Sequence, residues 1–445
     1  MLNRFFFHCN YSSLKKYITN NALLSDSVWA LLGSVLGKGL ALLSSICIAR
    51  LLGKDIYGEY GFIKSTLLNI SIFSTLGLGY TSTRFVAKYL ISEREKVNSV
   101  INETLRITLV TSFLLASVFF FFSDIFSQWL GSPQLSMAFK YTSLIIIFNA
   151  ITSTQIGILS GFNAYKVIAK INTISGISIF VLSLLLTYFF LLEGALVALL
   201  ISQILNCLLN YYAIRRYNIR EKNNLLKTEI LLIRKDLISF SLPVALQEIF
   251  YSLTQWSLTV LLIKMSTYGE VGIYTAVSQW ASVIMFIPGI LRNVTLSYLS
   301  NSLEDNLKFD NITNMMLKIN IISILIPSVL VFLSSDLISA FYGESFHTLK
   351  PVLRVYILIP IFDCISNVYV QSLLSKGRTW ILFFLRLLRD VGTLTLTFFF
   401  IVLFGNFSNN SGALNLAVAS LIFQIIFCLF LYIENRRIKF SPMCN

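Results

Sequence analysis

The chain has 445 residues, 56% of them hydrophobic and 13% charged, with a mean hydropathy of +0.75 and a formal net charge of +14. A soluble domain of this size would leave much of that apolar surface in water, so the composition excludes an ordinary soluble enzyme or binding module. Lipid is the solvent that fits, and a spanning backbone that must satisfy its own hydrogen bonds makes the chain an all-α integral membrane protein.

The first residues, Met1 to Asn21, hold the short apolar run Phe5-Phe6-Phe7 followed by Lys15 and Lys16. Without a long apolar core or a small-residue cleavage site, no signal peptide is expected. Apolar stretches of about 20 residues then predict twelve transmembrane spans. They fall at about 27–49, 59–83, 105–123, 138–160, 168–190, 195–214, 238–263, 271–299, 314–334, 352–374, 380–404 and 412–433. No soluble domain is left over.

Positive residues are retained on the cytoplasmic side, so the connecting segments set the orientation. With the N-terminus inside, 24 of the 35 Lys and Arg residues fall in cytoplasmic segments, seven of them between Arg215 and Lys235. Both termini are therefore expected in the cytoplasm. Topology accounts for most of the basic excess, so nucleic acid is not an expected partner.

The polar segment 215–237 divides the chain into an N-terminal bundle, 1–214, and a C-terminal bundle, 238–445, with six spans in each. Three pairs of short matches support a duplication. Gly58-Glu59-Tyr60 corresponds to Gly272-Ile273-Tyr274 at an offset of 214. Leu159-Ser160 corresponds to Leu374-Ser375 at 215, and Gly194-Ala195-Leu196 to Gly412-Ala413-Leu414 at 218. Because six is even, the halves run parallel, related by an axis along the membrane normal, and enclose a central cavity that rocking exposes to either side in turn.

A charge at mid-bilayer costs several kcal/mol unless it is paired or wet, which makes it a functional candidate. Lys38 (span 1), Lys64 (span 2), Glu248 (span 7), Arg292 (span 8), Asp363 (span 10) and Arg386, Arg389 and Asp390 (span 11) qualify. Arg50 and Arg84, at the two ends of spans 1 and 2, join them as candidate cavity cations. The surplus of positive charge suits an anionic head group such as a diphosphate. Glu248, Asp363 and Asp390 are the acids available for ion coupling or internal pairing, and Arg386 and Asp390 stand at i and i+4, where they can pair. The offset of 214 sets Glu248 opposite Ser34, one turn from Lys38, so Lys38 and Glu248 are expected to face each other and pair in one access state.

Pro243, Pro288, Pro327 and Pro360 interrupt spans 7 to 10, whereas spans 1 to 6 have no proline, so bending is expected mainly in the C-terminal half. The Gly33/Gly37 pair and Gly77-Leu78-Gly79 are expected to allow close helix packing. The six cysteines are scattered with no metal-ligand or CxxC spacing. Gly33 to Gly39 resembles a phosphate loop but lacks one residue between its glycines and a Ser/Thr after Lys38, and it lies inside a span. With His8 and His347 as the only histidines, no metal site, cofactor or His-based triad is expected. No outer loop exceeds about 20 residues on this assignment, which argues against a membrane polymerase with a catalytic loop.

Ile48-Ala49-Arg50-Leu51-Leu52-Gly53-Lys54-Asp55-Ile56-Tyr57-Gly58-Glu59-Tyr60-Gly61 resembles the "ARxLGxxxYGxY" segment of the polysaccharide-biosynthesis flippases. Gly77-Leu78-Gly79-Tyr80-Thr81-Ser82-Thr83-Arg84-Phe85-Val86-Ala87 is similar to that family's "GLGxTxT(K/R)xVA". These are Wzx-type O-antigen flippases of the multidrug/oligosaccharidyl-lipid/polysaccharide (MOP) exporter superfamily. The resemblance implies a MATE-like fold and translocation of an undecaprenyl-diphosphate-linked glycan from the cytoplasmic to the periplasmic leaflet. H⁺ or Na⁺ would drive it, and polysaccharide polymerase or assembly proteins would act beside it in lipopolysaccharide biosynthesis. Asn69, Gln155, Gln247, Tyr251, Gln255, Trp256, Asn293 and Asn367 are candidates for the sugar hydroxyls. A drug/cation antiporter of the same superfamily would want an acidic or aromatic cavity, and an O-antigen polymerase a large periplasmic loop.

Overall fold

The computed structural model describes residues 22–130, 132–217, 227–300, 302, 305–376, 378–404 and 412–440. The N-terminal segment with Phe5–Phe7, His8 and Lys15–Lys16 lies outside the described residues, as do Arg220 and Lys222 of the mid-chain polar segment.

All twelve predicted spans are helical. Spans 1 and 2 form α1 (Ala22–Thr75) and α2 (Leu78–Ser92), and span 3 is α3 (Glu95–Phe121). The short α4 (Ser123–Leu130) follows, then α5 (Ser136–Gly161) as span 4 and α6 (Tyr165–Tyr217) as spans 5 and 6. In the second half, α7 (Lys227–Met265) is span 7, and α8 (Tyr268–Ile284) with α9 (Phe286–Ser300) forms span 8. Span 9 is α10 (Asn306–Leu333), and the short α11 (Ser335–Tyr342) precedes span 10, which is α12 (Leu349–Tyr356) with α13 (Ile359–Ser375). Spans 11 and 12 are α14 (Thr379–Phe404) and α15 (Gly412–Phe440).

Length alone requires α6 to be a hairpin: its 53 residues would rise about 80 Å at 1.5 Å per residue, more than twice a hydrocarbon core of about 30 Å. The chain reverses at Leu191, whose φ of 49° is left-handed. Span 1 likewise gives way to span 2 at Gly53, φ 73°. This residue needs the freedom of glycine, and it lies within the first family-like segment.

Breaks within spans are less tied to proline than the sequence suggests. Span 8 breaks at Met285, three residues before Pro288, and span 10 at Ile357–Leu358, just before Pro360. Pro327, in contrast, sits inside an unbroken α10. Span 2 has no proline yet breaks at Leu76–Gly77, where both residues have positive φ, 48° and 69°. Bends therefore occur in both halves.

The two halves repeat a terminal cap that the offset comparison missed. Ser123-Asp124-Ile125-Phe126-Ser127 opens α4, and Ser335-Asp336-Leu337-Ile338-Ser339 opens α11, 212 residues later. Each short helix is followed by a 3₁₀ turn, Pro133–Leu135 and Glu344–Phe346. Each aspartate also bonds a lysine at the start of the next span: Asp124 to Lys140 at 2.8 Å, and Asp336 to Lys350 at 2.5 Å. These bonds hold both carboxyls below the usual carboxylate range, Asp124 through Lys140 and then Ser136, Asp336 through Lys350. A depressed folded-state pKa stabilises above the unfolded value of about 3.9, and the effect fades as pH falls through the folded value. The double variant Asp124→Asn/Asp336→Asn should therefore melt below the native protein at pH 7 and coincide with it once pH drops well under about 3.9. A gap that persists in acid would contradict this.

The mid-chain segment is shorter as a linker than expected, because α7 starts at Lys227. Its first turns pack on the N-terminal half, where Ile233 and Leu237 join Phe85, Val97 and Val100 in one buried cluster. Glu103 of α3, only 8% exposed, accepts from Arg234 at 2.7 Å. Span 7 thus rests on both halves.

Candidate functional site: the cleft between the halves

The halves cross at glycines. A Cβ on Gly58 would lie 1.7 Å from the Tyr268 carbonyl oxygen and 3.0 Å from the Gly272 nitrogen. One on Gly272 would lie 2.2 Å from the Lys54 carbonyl and 3.1 Å from the Gly58 nitrogen. Gly61 would meet Thr275 at 2.4 Å. Residues 54, 58 and 61 correspond to 268, 272 and 275 at the offset of 214, so the contacts are reciprocal, as a local two-fold axis through the crossing requires.

Around this crossing the halves are sealed. Phe126 and Trp129 of the first half stack on Trp256 of the second at 6.1 and 6.4 Å between ring centroids, and Phe62 meets Tyr268 edge-on at 6.5 Å, with Phe139 packed behind Phe62 and Phe126. Tyr57 meets Phe346 edge-on at 6.0 Å. Deeper in, Trp256 Nε1 donates to Thr66 at 3.2 Å, and Ser252 Oγ donates to the Asn69 side-chain oxygen at 2.8 Å. Two candidates for sugar contact, Asn69 and Trp256, are therefore used in the seal.

Beyond the seal, side chains between the halves become exposed. Lys38 Nζ lies over the Phe286 ring of α9, 4.9 Å from its centroid. The Arg84 guanidinium stacks on Phe240 of α7 at 4.2 Å, and Arg292 is exposed on α9. Arg386 lies within Coulombic reach of Arg292, Arg389, Asp390 and Glu248. Lys38 and Arg84 of the first half thus each meet a ring of the second, while Arg386 of the second half has Arg292 and Glu248 within Coulombic reach. Gly37 packs on Asn172 and Gly176 of span 5, so closely that a Cβ on Gly37 would lie 2.9 Å from the Asn172 carbonyl oxygen. That contact anchors one face of span 1, and Lys38, one position on, emerges about 100° around the helix.

Lys64 is half-buried nearer the seal, its ammonium 5.7 Å from the Tyr60 ring centroid. Arg50 lies elsewhere. It borders an apolar groove with Cys47, Leu51, Leu184, Leu185, Tyr188 and Phe189, and its side chain lies near Gly343 of the second half.

The acids split between two places. Glu248 borders a cavity of about 380 Å³ on span 2, whereas Asp363 and Asp390 line a separate cavity of about 150 Å³ inside the C-terminal half. There Asp390 Oδ1 accepts from both Nε and Nη2 of Arg389 at 2.8 Å, and Asp363 is also within Coulombic reach of Arg389. Arg389, rather than Arg386, is the ion-pair partner of Asp390. Tyr251, Thr254, Gln255, Tyr274, Thr393 and Gln424 are among the other residues of that wall. Glu248 and Lys38 are not paired in this structure. The side chains of Gln247 and Asn293 lie outside the described residues. Gln155 is 2% exposed and Asn367 half-buried on its helix. Among the described residues, no three His, Cys, Asp or Glu side chains come together as a metal site.

Residues 23–300, more than half of the chain and including both family-like segments, match the model of a family described as polysaccharide biosynthesis protein. The chain belongs to that family. No curated protein matches the sequence. In fold, this family member is similar to an inward-facing multidrug resistance MATE family transporter of the MOP superfamily, with a TM-score of 0.75 at 16% identity, over 91% of this chain and 95% of the other. It is also similar to a MATE protein in the straight conformation (0.67, 16%, 94% and 95%) and to an outward-facing multidrug resistance MATE family transporter (0.65, 15%, 94% and 97%). The all-α MATE-like membrane fold is thereby established for the family member described here.

Proposed function

We propose that the protein is a flippase that moves an undecaprenyl-diphosphate-linked oligosaccharide from the cytoplasmic to the periplasmic leaflet by alternating access. The observation that carries this reading is the Gly58–Gly272 crossing that seals the two halves, with Lys38 and Arg84 of the first half against rings of the second and Arg386 near Arg292; on this reading these cations line the cleft between the halves. In a site shielded from bulk water, such cations hold a diphosphate by charge-assisted hydrogen bonds. The tail needs no polar path, because it stays in lipid.

The orientation follows from the basic segments, which put the open side of the cleft and both termini in the cytoplasm, in a bacterial inner membrane. Asp363 and Asp390 are the acids placed to couple H⁺ or Na⁺ entry to rocking. Deleting the gene and assaying lipid-linked intermediates tests the reading. Repeat units trapped on the cytoplasmic leaflet support it, whereas single repeat units reaching the periplasm unpolymerised point to a polymerase instead.

Lys38 and Glu248 lie on opposite halves and are unpaired here, so the pairing anticipated from the repeat belongs to the other access state. Either Lys38→Ala or Glu248→Ala should lower flipping, and the exchange Lys38→Glu/Glu248→Lys should restore part of it. An exchanged protein no better than the single variants would refute the pair.

A further inference from the structure

The cleft is not uniform. Its cations stand on spans 1, 8 and 11 and at the far end of span 2, whereas the cavity of about 380 Å³ lies between spans 2, 4 and 7 and is lined by seven neutral polar side chains set among Ile72, Ile156 and three glycines, with Glu248 as its one charge. That volume falls within the range of about 300–1,000 Å³ usual for small-ligand sites. Ser71, Thr75, Thr83, Ser153 and Ser160 supply hydroxyls to its wall. Most of these donate to backbone carbonyls, Thr83 to Gly157 at 2.9 Å for example, which leaves their oxygens free to accept.

Tyr80, Asn149, Ser153 and Glu248 have side-chain groups with no hydrogen-bond or ion-pair partner among the described residues, and all four line the cavity. Tyr80 is 63% exposed, an aromatic face held open to the cleft. The left-handed turn at Leu76–Gly77 makes this possible. It ends α1 and restarts the span as α2 with no side-chain cap, and Gly77 and Gly79 bring bare backbone to the cavity wall. Gly79 in turn packs tightly on Gly157 of span 4, which fixes the wall in place.

We infer that this cavity is the sugar subsite of the cleft: Tyr80 stacks on the C–H face of a pyranose, while Asn149, Ser153 and Glu248 bond its hydroxyls. The inference rests on the flippase reading and adds a division of labour to it. A diphosphate is excluded from this cavity because Glu248, its one charged lining residue, is negative. Arg386, within Coulombic reach of Glu248, marks where the sugar subsite adjoins the cationic one. A head group whose first sugar is bonded directly to diphosphate fits this order of neutral and cationic walls.

The test uses the purified full-length protein in nanodiscs and two probes, undecaprenyl diphosphate and the lipid-linked glycan extracted from a strain deleted for the gene. The native protein should bind the glycan-bearing lipid more tightly than the bare one. Tyr80→Ala and Asn149→Ala should each weaken the glycan-bearing lipid about tenfold, the loss expected when a polar or stacking partner is removed. Both should leave bare undecaprenyl diphosphate within about twofold, while Arg386→Gln should weaken both probes. Because Tyr80 is exposed, truncating it leaves no core cavity, and its melting temperature should match the native one. Equal weakening of both probes by Tyr80→Ala, or no preference of the native protein for the glycan, would overturn the sugar subsite alone. Failure to bind either probe would overturn the flippase reading itself.

Discussion

Gly58→Val should abolish flipping and leave a protein that unfolds well below the native melting temperature. At this position a Cβ would enter the Tyr268 carbonyl at 1.7 Å, a contact with backbone that no rotamer change relieves. Overpacking a core costs typically about 1–3 kcal/mol, and here the displaced partner is a whole helix, so the upper end or more is expected. The same clash separates spans 2 and 8 where the aromatic seal forms, and so removes the closed side of the cleft. Gly39→Ala is the matched control: its Cβ meets nothing within 4 Å, and alanine favours the helix by up to about 1 kcal/mol. Thermal unfolding in detergent, combined with the lipid-linked intermediates assay, reads both effects. A Gly58→Val protein that melts and transports like the native one would show that the crossing is not required.

Asp390→Ala should be the most destabilising single charge removal. Arg389 and Asp390 are 18% and 12% exposed, and both guanidinium nitrogens that bond the carboxylate converge on one oxygen. Removing the acid leaves a cation in a low-dielectric wall, and stripping one partner from a buried pair costs about 3–5 kcal/mol. Asp363 offers Arg389 a second negative charge, so the lower end, about 3 kcal/mol, is expected. The double variant Arg389→Met/Asp390→Leu should recover most of the lost melting temperature, since replacing both partners by apolar groups is often neutral. It should not recover transport if the polar cavity couples ions. Recovery of both would reduce the pair to a structural contact, and no loss in Asp390→Ala would show that the pair contributes little to stability.

The spans were legible because each is a local property. An apolar run of about 20 residues can only be a helix across lipid, and all twelve runs are helices. The duplication was legible at Gly58 and Gly272, and the structure gives that match a cause, since the two glycines press on each other across the axis. A second signal stood in the same sequence unread, the Ser-Asp-x-x-Ser openings at Ser123 and Ser335, hidden because their offset of 212 comes from short caps outside the spans.

Other features were not legible. Nothing in the spacing separated Arg386 from Arg389 as partner to Asp390, since i,i+4 geometry permits one bond and adjacency the other. The packing of α14 against α7 and α13, with Tyr251 and Asp363 beside Arg389, makes the choice. Proline content misled in span 2, where Gly77 and its neighbour Leu76 break the helix and open the cavity that exposes Tyr80. Among the tyrosines of the two family-like segments, only the fold distinguishes Tyr57 and Tyr60, buried at the crossing, from Tyr80.

By itself the sequence determined a lipid-embedded, all-helical chain, its duplication and the stock of charges between its spans. The tertiary structure alone decided that Arg50 borders an apolar groove, that Lys38 and Arg84 meet rings of the other half, and that the acids divide between two cavities. The reason is angular. One residue turns a helix by about 100°, so which charge faces the partner half depends on helix crossings, and glycines without a Cβ set those crossings between elements over two hundred residues apart.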